Sequence, residues 1–439
     1  MHLRKAGFGP SLFGAKSKPR ISSRPPIRAA GSPTCYQSLE LTPDVTELLR
    51  QTRILSTPGH FPSGDLTTRN VNSTKETRMK ETQRLIRNVL LVIVAILVSA
   101  TLAKADTYSW QNFQSDIPGV AAHTDANLVN PWGMAASANG TIWVANNGTG
   151  TSTLYHQDGT AQSLVVEVAK SSSNHGDANP TGVVFNGGSS FVVTENGVSG
   201  PARFIFASED GSISGWNPTV DQTHAIIAVD NGHQRDGGDA LIRNIIDNNG
   251  HNRAIYKGAA IGSANGQDFL YVTNFHSGRV ETYDGNFQRM NENGFADPNL
   301  PSGYGPFGIQ NINGEIFVTY AKQDRKREDD VPGPGFGFVN AFDTSGHLLR
   351  RVVSMGELNA PWGLALVDNE LWVGNFGDGK INNYDPMTGE FIETLSRADG
   401  TPLQFDGLWA LLPLGDGVFF TAGIAHEEHG LFGLITEDK

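Results

Sequence analysis

The stretch Asn130-Pro131-Trp132-Gly133-Met134-Ala135 returns 230 residues later as Ala360-Pro361-Trp362-Gly363-Leu364-Ala365. A second matching run follows each copy, Ile142–Asn146 after the first and Leu371–Asn375 after the other. A unit that recurs at roughly 45–55 residues is typical of a repeat architecture, so the sequence predicts several copies of one structural unit. The weaker copies are Asn179-Pro180-Thr181-Gly182-Val183 and Gly305-Pro306-Phe307-Gly308-Ile309.

The strongest copy, residues 361–395, reads as four short strands separated by turns. Trp362–Leu366 is apolar, Asp368-Asn369 is typical of a turn, and Glu370–Asn375 places Leu371 and Val373 on one face of a second strand. The third and fourth strands are predicted at residues 380–384 and 391–395. Four antiparallel strands per unit form one blade of a propeller, so the predicted fold class is all-β, a six-bladed β-propeller.

Two of the six units are irregular. In the second unit, Phe191–Thr194 and Phe204–Ala207 both fit the second strand, so one of them is an insertion. The sixth unit ends one strand short after Leu431–Ile435, and we expect Tyr108–Ile117 to supply the missing strand and close the ring. Seven blades remain open as an alternative at this stage. The units are Pro131–Val168, one that starts at Pro180, Ala254–Met290, Pro306–Val353, Pro361–Leu395 and one that starts near Leu408.

The first 105 residues read differently from the rest of the chain. Residues 1–78 are rich in Ser, Pro, Arg and Thr, which predicts a disordered extension or a misassigned start. Residues 79–105 have the order of a secretory signal peptide: basic residues, the apolar run Val89–Ala100, and Ala103-Lys104-Ala105 before Asp106. An uncleaved membrane anchor is the alternative, although the apolar run is short against the roughly 20 residues that a span needs. The predicted location is secreted or periplasmic.

Charge limits the partners of the predicted propeller domain, residues 106–439. Residues 1–105 contain 16 Lys and Arg and 6 Asp and Glu, and the remaining 17 and 39 give residues 106–439 a net charge of −22. Such a domain repels phosphates, so nucleic acid and anionic membrane are not expected partners, whereas cations are allowed. The one cysteine, Cys35, precedes the predicted cleavage site, so no disulfide is expected after it.

The chain also resembles an uncharacterised family of secreted bacterial β-propeller proteins related to NHL-repeat proteins. The resemblance extends over residues 106–435 and implies a propeller fold and export, but no reaction. The runs that carry it are Asp116–Gly119 through Asn130–Gly133, Phe204–Gly211, Tyr320–Asp324 and Gly430–Gly433.

The candidate functional residues are predicted to lie at one rim of the channel. The first strand of a blade starts at this rim and the second strand returns to it, and the predicted loops Ala321–Phe338 and Gly423–Gly430 leave from it. Long loops on one face of a rigid scaffold are the usual place for a binding site. The loops that enter the first two blades add His123, Asp125, His175 and Asp177. The residues that end second strands are Asn146, Glu195 or Ser208, Asn274, Tyr320, Asn375 and Ala422.

A metal site is one interpretation of this rim. Asn146, Asn274 and Asn375 occupy equivalent positions, and their amide oxygens together with Glu195 or Glu209 would suit Ca²⁺. The structural alternative is that each Asn caps a strand and makes the turn that follows. Repetition favours the structural alternative, because a structural role recurs in every blade while a site need not.

Aromatic and titratable residues offer further candidates. Trp132, Trp362 and Tyr320 are candidate ligand-binding residues, and the alternative for the two Trp residues is packing between blades. The run His426–His429 has the wrong spacing for a helical zinc site, which leaves Glu428 or His429 as a candidate acid or base. The charged segment 322–330 is a solvated loop or a lid over the channel.

Two functions fit these features. The first is a binding or scaffold module that holds a small molecule, a glycan or a protein at its rim, with the propeller itself a monomer. The second is a metal-dependent, Ca²⁺-using hydrolase or lyase with its site at the channel mouth. The fold does not decide between them, since propellers host many chemistries.

The leader prediction has a direct check. If residues 79–105 are a cleaved signal peptide, mass spectrometry of the protein from an exporting host will give a mature chain that starts at Asp106. Recovery of peptides from residues 1–78 in the purified protein would contradict it.

Overall fold

The computed structural model describes residues 78–89, 106–232, 253–290 and 294–438. Residues 78–89 form one α-helix, α1, which covers the basic start of the predicted signal peptide. Within the described ranges, no helix has the length and the apolar character that a membrane crossing requires. The apolar run and the cleavage site at residues 90–105, and residues 1–77 before the helix, lie outside the described residues. The signal peptide and export therefore stay predictions.

The described part of residues 106–438 forms six β-sheets arranged as the blades of a propeller. Blade 6 contains β1 (Tyr108–Ser115) and β2 (His123–Thr124) together with β24 (Leu408–Leu414), β25 (Gly417–Ala422) and β26 (Leu431–Glu437). Neighbouring strands of the blades pair antiparallel, except that β2 pairs parallel with β1. Blade 1 contains β3 (Pro131–Ala136), β4 (Ile142–Asn146), β5 (Thr151–Tyr155) and β6 (Ala161–Glu167). Blade 2 contains β7 (Pro180–Phe185), β10 (Phe204–Ser208), β11 (Ser212–Trp216) and β12 (Ile226–Asp230).

The remaining blades follow the same order. Blade 3 contains β13 (Tyr256–Ala264), β14 (Gln267–Asn274) and β15 (Arg279–Asp284). Blade 4 contains β16 (Tyr304–Ile312), β17 (Glu315–Lys322), β18 (Gly337–Phe342) and β19 (Leu348–Ser354). Blade 5 contains β20 (Pro361–Val367), β21 (Glu370–Asn375), β22 (Ile381–Tyr384) and β23 (Phe391–Thr394). The predicted six-bladed propeller is confirmed.

The ring closes through the N-terminal strand, as predicted. β1 pairs antiparallel with β26 from Tyr108 opposite Glu437 to Ser115 opposite Leu431, and it completes the sheet that β24 and β25 begin. The first strand of the domain thus covers the edge that the last strand would otherwise expose.

The strands of two blades differ in detail from the sequence prediction. In blade 2 the second strand is Phe204–Ser208, which pairs with β7, and the insertion is a separate hairpin of β8 (Val192–Glu195) and β9 (Val198–Pro201). Blade 3 shows three strands within the described residues rather than the four predicted.

Strand register confirms the predicted rim. Pro131 lies opposite Asn146, Tyr256 opposite Asn274, and Pro361 opposite Asn375, so each inner strand starts where a second strand ends. The two long loops leave from the same positions, at residues 323–336 after β17 and 423–430 after β25.

Apolar side chains fill the space between the blades. Six clusters of buried residues each lie between two neighbouring blades, and a seventh fills the channel. Tyr155 and Phe432, for example, stack 4.8 Å apart between blades 1 and 6. Burial of this apolar surface is the main favourable term in holding the blades together.

The glycine of the repeated phrase is the point of contact between inner strands. A Cβ at Gly133 would lie 2.5 Å from the Thr181 carbonyl oxygen of blade 2, and one at Gly363 would lie 2.6 Å from the Trp409 carbonyl oxygen of blade 6. A Cβ at Gly308 would overlap the carbonyl oxygen of Trp362. Backbones at this distance leave no room for a side chain, which explains why the phrase recurs with its glycine.

We expect Gly308→Ala to lower the free energy of unfolding by about 3 kcal/mol, because the added methyl group meets backbone that cannot rotate away. Gly176→Ala is the matched control, since the nearest atom to its added Cβ is a side-chain oxygen 3.5 Å away. Urea unfolding followed by tryptophan fluorescence measures both. Equal midpoints for the two variants would contradict this account of the phrase.

Candidate site at the channel mouth

Aromatic rings close the channel beneath the loop-bearing rim. The ring of Trp132 stacks on that of Trp409 with the centroids 3.4 Å apart, and it meets Trp362 edge-on at 6.2 Å. Phe275 and Phe307 belong to the same cluster, so these five rings come from four inner strands and one rim turn. Phe376 stacks on Trp409 at 4.2 Å. The channel at this depth is packed with side chains and forms a floor for the groups above it.

Two of the three indole N–H groups in this floor donate hydrogen bonds to neighbouring residues. Trp362 Nε1 donates to the carbonyl oxygen of Lys257 at 2.8 Å, and Trp409 Nε1 donates to Asn130 Oδ1 at 3.1 Å. Trp132 Nε1 is buried without a partner. The structure thus places Trp132 and Trp362 in contact with other rings inside the channel.

Lys257 stands over the floor as a buried ammonium group. Its side chain is 3% exposed, and Nζ lies 5.2 Å from the centre of the Trp132 ring and 5.9 Å from that of Phe275. Nζ forms an ion pair with Glu209 and lies 3.6 Å from Asp329 Oδ1. Burial lowers the pKa of Lys257, but the charge of Glu209 and its hydrogen bond outweigh burial, so the pKa is raised.

A chain of hydrogen bonds leads from Lys257 around the mouth. Glu209 accepts from Lys257 on Oε1 and from Asn147 Nδ2 on Oε2 at 2.9 Å. Asn130 Nδ2 lies 3.5 Å from Asn147 Oδ1 and donates to Glu427 Oε2 at 2.9 Å. The chain therefore joins blades 3, 2 and 1 to the loop after β25.

The loop of residues 323–336, called the lid loop below, crosses the mouth and is fastened at three places. Gln323 Nε2 donates to the Phe275 carbonyl oxygen at 2.5 Å, and Arg253 pairs with Glu328 at 2.5 Å. Further along, the Gly333 amide donates to Asn359 Oδ1 at 2.6 Å. The charged segment predicted as a solvated loop or a lid thus lies at the mouth in contact with the rim, and its action as a lid stays a prediction.

The lid loop adds two carboxylates to the mouth. Asp329 is 77% exposed, while Asp330 is partly buried and its Oδ2 atom has no hydrogen-bond partner. Burial, opposed by Lys257 and reinforced by Glu427 and Asp329, raises the pKa of Asp330 to about 7. Burial also raises the pKa of Glu427, where the Asn130 hydrogen bond opposes the shift and Glu209 adds to it.

His276 lies under the lid loop beside these groups. It is 2% exposed and neither ring nitrogen has a hydrogen-bond partner. Burial is the main cause that lowers its pKa; a polar contact with the backbone of Arg327 and the charge of Glu328 oppose the shift, and the charges of Arg253 and Arg327 add to it.

The residues that meet around Lys257 at the channel mouth form the mouth cluster, which contains four carboxyl groups and one ammonium group. Burial is the main cause of the raised pKa values of Asp330 and Glu427, and neighbouring carboxylates add to it, so ionising either group inside the cluster costs free energy. The mouth cluster consists of Asn130, Asn147, Glu209, Lys257, Asp329, Asp330 and Glu427.

The amide nitrogens of the Asn residues predicted as metal ligands donate hydrogen bonds within their own blades, while the amide oxygen of Asn146 is buried without a partner. Asn146 donates to Thr153 Oγ1 at 3.0 Å, Asn274 donates to Glu281 Oε1 at 2.8 Å, and Asn375 donates to the Glu357 carbonyl oxygen at 2.8 Å. Glu195 lies on the β8–β9 hairpin, so Ser208 is the residue that ends the second strand of blade 2. Among the described residues, no group of three or more His, Cys, Asp or Glu side chains is placed to hold a metal ion, and Ca²⁺ stays a prediction.

Tyr320, the third predicted ligand-binding residue, is 3% exposed and packs between blades 3 and 4. Its hydroxyl group has no hydrogen-bond partner, and burial raises its pKa above the usual range. The structure therefore places Tyr320 apart from the aromatic floor, with the core residues of its blade.

The two acid or base candidates have different surroundings. Glu428 is exposed, whereas His429 Nδ1 lies 2.6 Å from Asp116 Oδ2, and the Gly430 amide donates to Asp116 Oδ1 at 2.8 Å. Asp116 thus orients His429 and fixes the end of its loop. The residue of this loop that enters the mouth cluster is Glu427.

The loops that enter the first two blades reach other places. Asp125 accepts from the Tyr155 hydroxyl at 2.9 Å, and His123 is exposed in β2. Asp177 lines a cavity of about 560 Å³ between blades 1 and 2, together with Glu167 and His224, and His175 is exposed.

Sequence reasoning missed Lys257, Asn130 and Asn147. A signal for Lys257 was present, because it interrupts the otherwise apolar run Ala254–Ala260 of an inner strand. A charged side chain at such a position is almost never fully buried unless it is paired, so it marks a polar site.

Two uncharacterized proteins of Acanthamoeba polyphaga mimivirus are each 30% identical to the chain, over 334 and 336 residues. Each match covers 73% of this chain, with 78% and 83% of the two relatives. Among solved structures, virginiamycin B lyase from Staphylococcus aureus is 14% identical with a TM-score of 0.43, covering 75% of this chain and 99% of that one. A gluconolactonase from Xanthomonas campestris is 14% identical with a TM-score of 0.42, covering 70% and 87%.

The bacterial and NHL-related part of the predicted family is not shown by these relatives. The sequence motifs resembled a secreted bacterial family, but the relatives found are viral, and no family model matches the chain. The propeller fold that the resemblance implied is confirmed by the strand pairing.

Asp330 predicts a pH dependence of stability. Because its pKa is raised on folding, its contribution to stability is complete below about pH 4 and is lost as the pH rises through about 7. We expect Asp330→Asn to raise the free energy of unfolding at about pH 8 by up to about 2 kcal/mol, after allowance for partial exposure, and to have little effect near pH 4. Urea unfolding across this range measures it, with Asp329→Asn as the exposed control. A gain that does not vary with pH would contradict the assignment.

Proposed function

We propose that this chain, which belongs to the same family as the two mimivirus proteins, is a binding module that holds a positively charged group of its partner at the channel mouth. The partner class is an amine or a guanidinium, either free or on a basic peptide. One observation carries the proposal: the mouth cluster has four carboxylates and one ammonium group, and two of the carboxyl groups, Asp330 and Glu427, have raised pKa values.

The electrostatics of the mouth support a cationic ligand. An added cation lowers the pKa of a neighbouring carboxyl group, so its binding recovers the free energy that uncompensated burial costs. The Oδ2 atom of Asp330, which is buried without a partner, is an acceptor available to such a ligand. The net charge of −22 on residues 106–439 adds a field that favours cations at a distance.

The contacts of the lid loop support a site whose entrance opens and closes as the loop moves. Its three fastenings, through Gln323, Arg253 and Asn359, are polar contacts to three other parts of the rim. These are a few polar contacts, two of them to the buried residues Phe275 and Asn359, so opening breaks fewer interactions than unfolding a blade. A ligand that bridges Asp330 and Glu427 would hold the lid closed.

Thermal unfolding and calorimetric titration test the proposal, with spermidine, arginine amide, a neutral oligosaccharide and CaCl₂ as probes. We expect the two organic cations to raise the melting temperature and to bind more weakly as salt is added, because salt screens charge. We expect no shift with the oligosaccharide.

Glu427→Gln and Asp330→Asn should each weaken binding of the organic cations about tenfold, the loss expected for one charged hydrogen bond. Glu428→Gln is the matched control, because Glu428 is the exposed neighbour of Glu427 in the same loop and should leave binding unchanged. An equal loss in all three variants would contradict the assignment of the site. A shift with CaCl₂ alone would favour the metal-dependent alternative.

A further inference from the structure

We infer that Lys257 and Asn147 become joined by an isopeptide bond, with Glu209 as the residue that transfers the proton. The three residues come from blades 3, 1 and 2 and meet in the mouth cluster. This modification site does not depend on the proposed ligand, and the amide would remove the one ammonium group of the mouth cluster while leaving its four carboxyl groups.

Glu209 holds the two reacting side chains together. One of its carboxylate oxygens accepts from the Lys257 ammonium group, and the other accepts from Asn147 Nδ2 at 2.9 Å. A single carboxylate therefore bridges the nucleophile and the group that leaves. Holding reactants in this way replaces a bimolecular encounter with an intramolecular step.

The surroundings exclude water and favour neutral groups. The Lys257 side chain is 3% exposed, Asn147 is 6% exposed, and the rings of Trp132 and Phe275 lie beside the ammonium group. Although the ion pair with Glu209 keeps Lys257 protonated at rest, transfer of its proton to Glu209 removes two buried charges at once. The desolvation cost of those charges offsets part of the cost of the transfer.

Asn130 is placed to polarise the carbonyl group that is attacked. Its Nδ2 atom lies 3.5 Å from Asn147 Oδ1, and its own Oδ1 accepts from Trp409 Nε1, which fixes the direction of the amide. A donor aimed at the oxygen on which negative charge develops stabilises the tetrahedral intermediate.

The reaction balances without another reactant. Glu209 takes a proton from Lys257, and the neutral Nζ attacks Cγ of Asn147. The bond from Cγ to Nδ2 then breaks as Glu209 returns this proton to the departing nitrogen. The second proton that Nζ must lose as it becomes an amide nitrogen passes to the same leaving group through Glu209, so ammonium leaves and Glu209 ends as a carboxylate. The product is an amide between Lys257 Nζ and Asn147 Cγ, which ties blade 1 to blade 3 across the mouth.

Mass spectrometry of the intact purified chain tests the inference. We expect the mass to be lower than that calculated for the same polypeptide by one ammonia molecule. Lys257→Arg and Glu209→Gln should both show the full calculated mass, the second because the linked residues remain but the proton carrier is gone. Glu428→Gln should keep the loss. A loss of one water molecule would instead indicate a Lys257–Glu209 amide and overturn the assignment to Asn147.

Peptide mapping decides the matter even if the variants do not fold. Trypsin cannot cut after a lysine whose side chain is acylated, so the wild-type digest should contain one branched peptide that includes Lys257 and Asn147. Cleavage between Lys257 and Gly258, with an unmodified linear peptide containing Asn147, would overturn the inference. Neither measurement uses a ligand, so a failure here leaves the test of cation binding intact.

Discussion

The close contact between inner strands, backbone against backbone at a glycine, is the constraint on which this propeller depends. Gly133, Gly308 and Gly363 each meet a carbonyl oxygen of the next blade at a distance that no side chain could occupy. Because these contacts bring the inner strands of the six blades close together, the channel is narrow enough for a few aromatic rings to fill it. The Trp residues beside these glycines supply the rings, so one short phrase sets both the spacing of the blades and the packing of the axis.

Because aromatic rings fill the channel, the polar side chains of the candidate site lie at its mouth. Lys257 lies at the start of an inner strand, directly above the rings, where it can be buried but must be paired. Its partners come from neighbouring blades and from the lid loop because its own strand offers no carboxylate. The mouth cluster is thus the consequence of placing one charged residue at the point where six blades converge.

The sequence predicted the features that repeat and missed those that occur once. Blade boundaries, the closing strand and the loop-bearing rim follow from local patterns of Pro, Trp, Gly and Asn, each of which has a structural reason to recur. Asn146, Asn274 and Asn375 recur at equivalent positions, which favoured a structural role, and the amide nitrogen of each donates within its own blade. Lys257, Glu209 and Asn147 come from different blades, and only the ring geometry brings them together.

The pairing of the first and last strands has a consequence for how the domain is carried. β1 and β26 run side by side, with Ser115 and Leu431 at the rim and Tyr108 and Glu437 at the opposite end. Both ends of the domain therefore emerge together on the face away from the mouth. A tether joined to either end would start on the face that lies opposite the entrance.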